Sequence, residues 1–447
     1  MRVARFLLAQ PLYANSFWLL LAQGFNYFFG FFFWLVVARL YAPSAVGVSA
    51  ALLPAAGMVA FIGTLGLGTS IIRFISSAQQ GGPALANQVF TTVTVAAATL
   101  TAAFALGLDL WSPKLGFIRQ QPEYLVLFIA LVFLTTLQGL LAQTFIATRH
   151  SGYALAGSLV HGVGRVAGAL ATASLVGGLG IVFSWTLALA LSVGLALFVF
   201  LPRALPGYRL RPQIRLRLFR EIGAYSLANY VADGLWSLPA WVLPLIFINL
   251  LGPEQNAYFA VAWVVAMLPF AVPQAIGTAM FAEGSHHSAQ MGTQLLRGLK
   301  LCGAMLGPLV LALLLVGDKL LLLYGDSYAT AGRLLLPTAA LAVVPATLTI
   351  LYLTIARIQQ WLHQIILLSG GTAVGTLLIT FVLVGRLGIL AAGVGFLATH
   401  TLIALALLPR MIQLVRATDE QPSEACPGAD STPEPGHREG FLHPHDP

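Results

Sequence analysis

Charge is what this sequence has least of: 9% of its 447 residues are Asp, Glu, Lys or Arg, and 58% are hydrophobic. A soluble domain carries roughly 25% charged and 45–50% apolar residues, so an ordinary globular enzyme is excluded. Cysteine is nearly missing too. Cys302 in an apolar segment and Cys426 in a polar tail can form neither a disulfide framework nor a metal site. Also missing are a Walker lysine loop, a nucleophile elbow, a zinc helix and a dinucleotide fingerprint. No catalytic residue, cofactor or metal is therefore expected, and transport without ATP hydrolysis is the default class.

What remains is an all-α polytopic membrane protein. Twelve apolar stretches of spanning length run from about 15–37 to about 388–412, apolar on all sides as in Phe28 to Val37, which suits helices rather than barrel strands. The stretch after Arg2 and Arg5 lacks a cleavage signal and counts as the first span. The net charge of +8 divides into +13 for residues 1–412 and −5 for residues 413–447. That excess belongs to the membrane body and points to topology and anion handling, not nucleic acid. With the N-terminus cytoplasmic, 15 Lys and Arg fall on that side and six on the other, so both termini are expected in the cytoplasm.

The chain repeats itself. Ala22-Gln23-Gly24 recurs as Ala232-Asp233-Gly234 at an offset of 210, which also pairs Leu40 with Leu250 and Pro43 with Pro253; later, Val176 to Ile181 answers Val384 to Ile389, and Arg149 answers Arg357, at 208. Six helices per unit is an even number, so both units enter from the same face. Two repeat-related six-helix lobes follow, at 1–202 and 222–412, joined by a basic cytoplasmic linker at 203–221 and followed by a disordered tail at 413–447. The linker holds six arginines, and an amphipathic stretch from Ile214 onward is expected to lie on anionic lipids.

Charges inside spans are costly, so they are the first functional candidates. Arg165 and Asp233 each lie about eleven residues into a span, roughly 16–17 Å from its end and near the bilayer midplane. His161 shares the helical face of Arg165 among small residues (Gly157, Ser158, Gly162, Gly164 and Gly168), a stripe suited to a phosphate-bearing ligand. The alternative for Arg165 is a structural charge paired within its own lobe. Asp233, opposite the neutral Gln23 in the repeat, is read as an acid with no fixed partner: a site for proton or Na⁺ coupling, or the counter-ion of Arg165; the alternative is a hydrogen-bonded kink-former near Pro239 and Pro244. Arg39 and Arg73 flank the second span and can guide an anionic headgroup or merely snorkel. Asn26 and Asn229, with Asn15 and Asn249, place amides on the first and seventh helices, where they can read sugar hydroxyls or bond between helices. His400 suits an interhelical hydrogen bond. Pro54, Pro239, Pro244, Pro269 and Pro273 are expected to break the second, seventh and eighth spans as hinges.

The opening Asn15-Ser16, then Ala38-Arg39-Leu40-Tyr41-Ala42-Pro43, Val46-Gly47 and Leu65-Gly66-Leu67-Gly68, resembles the bacterial oligosaccharide flippases of the polysaccharide-transporter branch of the multidrug/oligosaccharidyl-lipid/polysaccharide superfamily. That resemblance implies a MATE-like V of two six-helix lobes in the bacterial inner membrane. It implies flipping of undecaprenyl-pyrophosphate-linked oligosaccharide by alternating access, for O-antigen, capsule or exopolysaccharide. It also implies a cationic central cavity, which Arg165 and His161 can supply. A cation-coupled multidrug exporter on the same scaffold would depend on Asp233 instead. A membrane-embedded glycan polymerase or ligase is disfavoured by the short outer loops. Such a helical transporter can work as a monomer.

Overall fold

The computed structural model describes residues 11–68, 71, 75, 82–174, 177–213, 224–284 and 291–419. Twelve helices long and apolar enough to cross a membrane are present among them. In the first half these are α1 (Leu21–Leu40), α2 (Pro43–Gly63), α3 (Gly82–Leu106), α4 (Pro122–Ala147), α5 (Ser151–Thr172) and α6 (Leu179–Ala204). In the second half they are α7 (Ser226–Leu250), α8 (Pro253–Phe281), α9 (Met291–Leu322), α10 (Leu335–Ile358), α11 (Leu362–Leu387) and α12 (Leu390–Arg416). The helix of α1 begins at Pro11, and that of α12 runs on to Asp419, seven residues past the expected boundary at 412. Residues 214–220 of the linker, most of the tail and Arg73 lie outside the described residues.

Proline marks where spans begin. Pro43, Pro122 and Pro253 stand first in α2, α4 and α8, where a missing N–H costs no helical hydrogen bond. The expected proline hinges are mostly not there: Pro54 lies inside continuous helix in α2, as do Pro239 and Pro244 in α7. Of the three spans expected to break, only α8 is interrupted, by a 3-10 turn at Leu268–Phe270 that contains Pro269. Packing neighbours hold a membrane helix together across the single lost bond.

Turn geometry fixes the repeat more sharply than residue identity does. Leu40 and Leu250 both end helices and Pro43 and Pro253 both begin them, as the offset of 210 requires. Later the register is 211, not 208. Arg149 and Gln360 carry the same left-handed turn (φ 59° and 56°), and Gly177 and Gly388 share φ 57°. Each turn is closed by the same bonds: His150 N–H to Phe145 O and Trp361 N–H to Ala356 O, both 2.8 Å. Arg149 therefore answers Gln360, and Arg357 has no basic counterpart. Runs of Gly, Leu and Val allow a three-residue slip in sequence that hydrogen bonds do not.

Within the first lobe α1 packs on α5, α5 on α6, and α4 on α2 and α3; within the second, α7 packs on α11, and α12 on α10 and α11. The lobes meet where α2 contacts α7 and α8. One buried cluster spans that junction, with Phe33, Val37 and Val46 from the first lobe against Phe247, Phe259 and Tyr324 from the second. The small residues of α5 are packing surface. A Cβ on Gly164 or Gly168 would lie 3.0 or 2.8 Å from Ala188 or Ser184 of α6, and one on Gly162 would strike the Phe29 ring of α1 at 2.5 Å. The face read as a phosphate stripe is filled by neighbouring helices, which approach closely because these residues are small.

Candidate functional site: two arginines and the seam between the lobes

Arg165 is 3% exposed, between α1 and α6. Its guanidinium carbon lies 4.5 Å from the Trp185 ring centre and 5.7 Å from that of Phe33. One terminal nitrogen, Nη2, donates a long 3.4 Å bond to the backbone carbonyl of Asn26. Its Nε is buried and has no partner. His161, one turn earlier, meets the same Trp185 edge-on at 5.2 Å, and its Nε2 is also buried without a partner. Among the described residues no carboxylate lies within ion-pair distance of Arg165. A desolvated charge costs several kcal/mol, of which an aromatic stack offsets about 1. The site is thus a buried guanidinium stacked on aromatic rings, with donor capacity left unfilled. Asn26 contributes its carbonyl rather than its amide, and its side chain is exposed beside the buried guanidinium.

Asp233 is not free. Its carboxylate accepts from Arg357 Nη2 at 2.6 Å, so the expectation of an acid without a fixed partner is overturned, as is that of Asp233 serving Arg165. The cause is local: Arg357 sits in the last turn of α10, which packs in the same lobe as α7. The pair is part-exposed, 41% for Asp233 and 32% for Arg357. Asn229, one turn before Asp233, is half-buried.

Arg39 belongs to a seam between the lobes. Its Nε and Nη2 donate to the carbonyls of Leu323 and Leu322, at 2.5 and 2.7 Å, capping the C-terminus of α9 across the lobe boundary. Beside it, the buried Asn256 donates to Gly47 O at 2.7 Å. A Cβ on Gly47 would fall 1.7 Å from Pro253 O, so only glycine permits this approach of α2 to α8. Tyr324 donates to Phe31 O at 3.5 Å, and Asn249 bonds Ser112 and the Lys114 N–H at 3.0 and 3.1 Å. All these contacts lie at the face opposite the chain ends. Tyr41 ties α1 to α5 within the first lobe, donating to Ala169 O at 2.8 Å. His400 is a core group, its Nδ1 2.9 Å from Phe396 O.

The structure brings Arg165, His161 and Asn26 together and keeps Asp233, Asn229 and Arg39 apart from them. Sequence reasoning missed Arg357, Trp185, Asn256 and Tyr324. An acid inside a span was itself the signal for a basic partner such as Arg357; the other three are ordinary core residues until the helices are packed.

Residues 12–281 match the family profile described as polysaccharide biosynthesis protein. A search of curated proteins returned no significant match. Among solved structures, the chain is similar to an inward-facing multidrug resistance MATE family transporter of the MOP superfamily, with TM-score 0.68 and 15% identity over 90% of this chain and 96% of that one. It is similar to an outward-facing MATE transporter at TM-score 0.60 and 14% identity, covering 93% and 98%. A MOP superfamily transporter from Pyrococcus furiosus, described as having a binding pocket of reverse polarity that suggests a different function, gives 0.58 and 14% over the same shares. At these identities the likeness establishes the MATE fold and nothing finer.

Proposed function

The chain belongs to the polysaccharide biosynthesis protein family, and from that footing we propose that this membrane transporter flips an undecaprenyl-pyrophosphate-linked oligosaccharide across the bacterial inner membrane by alternating access. One observation carries the choice of ligand: Arg165 is buried, stacked on Trp185, and has no carboxylate partner among the described residues. A guanidinium kept in the bilayer without a counter-ion leaves an anionic ligand as its natural complement, and a diphosphate matches its planar fork. His161 adds a second unfilled nitrogen one turn away.

The charge asymmetry supports cytoplasmic termini. With that orientation, the seam at Arg39, Gly47 and Asn256 closes the periplasmic side. Entry from the cytoplasm then requires the Phe61–Tyr230 contact at the other ends of α2 and α7 to loosen, α1 shifts to expose Arg165, and release requires the seam to part. A cation exporter has the fold likeness in its favour, but the charge at Asp233 is already neutralised by Arg357. Deleting the gene supplies the test. The flippase reading expects surface glycan to disappear while lipid-linked intermediate accumulates on the cytoplasmic leaflet; unchanged export with newly acquired drug sensitivity supports the exporter instead.

A further inference from the structure

The Asp233–Arg357 pair faces the space between the lobes. Residues of a helix are spaced 100° apart, so neighbours assign each face of α7. Tyr230 and Gly234 meet Phe61 of α2, the rings of Phe61 and Tyr230 stacking at 4.8 Å. Ala232 is fully buried in a cluster with Ala356 and Ile365, and Trp236 meets His400, so that face belongs to the core of the second lobe. Leu227 and Val231 are 49% and 38% exposed on the side left for lipid. Asp233 falls in the remaining sector, between the α2 face and the core face, with Asn229 one turn away. A charge this exposed cannot face hydrocarbon, which agrees with a wet inter-lobe position.

We propose that Arg357 is a second anion site and that Asp233 is its placeholder, an internal competitor for the ligand's diphosphate. This rests on the flippase reading above and names a further part of its site. Carboxylate and phosphate present the same oxygen geometry to a guanidinium. While the site is empty Asp233 fills that position, so Arg357, in the last turn of α10, keeps a partner. A diphosphate carries more charge and displaces it. The displaced carboxylate then lies beside the bound anion, where like-charge repulsion favours its return and thereby promotes release. The repeat counterpart of Asp233 is Gln23, which cannot compete, so the competitor belongs to the second lobe alone.

The test measures binding of farnesyl diphosphate to the purified full-length protein by calorimetry, with farnesol as control. Asp233→Asn removes the competitor without changing shape, and binding should tighten up to about fivefold, the size of a part-exposed ion pair. Arg357→Gln should weaken binding on the order of tenfold. In the double variant the gain from Asp233→Asn should vanish, a dependence that a purely structural pair would not produce. If the wild type binds but Asp233→Asn binds no tighter, or Arg357→Gln binds equally well, the placeholder role is wrong and the flippase reading stands. If the wild type does not distinguish farnesyl diphosphate from farnesol, the anion-binding reading itself falls, and this inference with it.

Discussion

In the first lobe Arg165 is sealed between aromatic rings with an unfilled Nε and, among the described residues, no acid within ion-pair distance; in the second, Arg357 is part-exposed and paired to Asp233 at 2.6 Å. Both guanidiniums sit in a membrane body with few charges, yet only one has a partner built into the chain. The pair in the second lobe is self-sufficient and reads as structure until something displaces it. The lone arginine carries an uncompensated desolvation cost, which persists in a protein when function needs the charge. The two arginines are not repeat-related, since at the register of 211 Arg165 answers Thr376 and Arg357 answers Ile146, so the contrast is one of environment within a shared fold.

Removing the lone charge should have the largest effect. Arg165→Met keeps the volume and discards the desolvation cost, so the thermal midpoint should hold or rise. Translocation should nonetheless fall about 100-fold, as losing a buried charge-assisted contact of about 3 kcal/mol implies. Making the first lobe resemble the second comes next. Asn26→Asp adds a carboxylate to the residue whose backbone carbonyl accepts from Arg165, on a side chain that is itself exposed; a counter-ion gained there should raise thermal stability and cut translocation on the order of tenfold. Weaker still is Trp185→Leu, which removes the 4.5 Å stack while leaving the charge. Losing a contact of about 1 kcal/mol predicts a fall of about fivefold, measured in the same flux assay and absent in an Arg165→Met background.

The smallest effect belongs to the seam. Arg39→Ala deletes two exposed cross-lobe hydrogen bonds. At a net contribution of roughly 0.5 kcal/mol each, the far face should open about fivefold more often. Thiol labelling of a cysteine placed at Val46, fully buried in the cross-lobe cluster, reads that shift; unchanged labelling would remove Arg39 from the gate.

The helix count and the two-lobe plan were legible because a spanning helix must be apolar over its whole length, and twelve such stretches leave little freedom. Arg165 was legible as a candidate because a charge inside a span is costly, and the fold buries it between aromatic rings. Partnership was not. Whether Asp233 meets Arg165 or Arg357 depends on which helices pack together, and the late repeat offset was misread by three residues in a Gly-, Leu- and Val-rich stretch. The small residues around His161 carried two meanings, ligand face or close helix contact, and α6 with Phe29 settled it as contact. Arg39, from the Ala-Arg-Leu-x-x-Pro stretch, was visible as a motif, but its role across the seam needed α9 in place.

The most direct test of the central claim is flux in proteoliposomes loaded with undecaprenyl-pyrophosphate-linked oligosaccharide, comparing wild type with an equally folded Arg165→Met. Wild type should translocate the lipid-linked glycan, and the variant should leave it on the leaflet where it started. Equal translocation by both, or equal movement of a lipid-linked glycan lacking the diphosphate, would contradict the account.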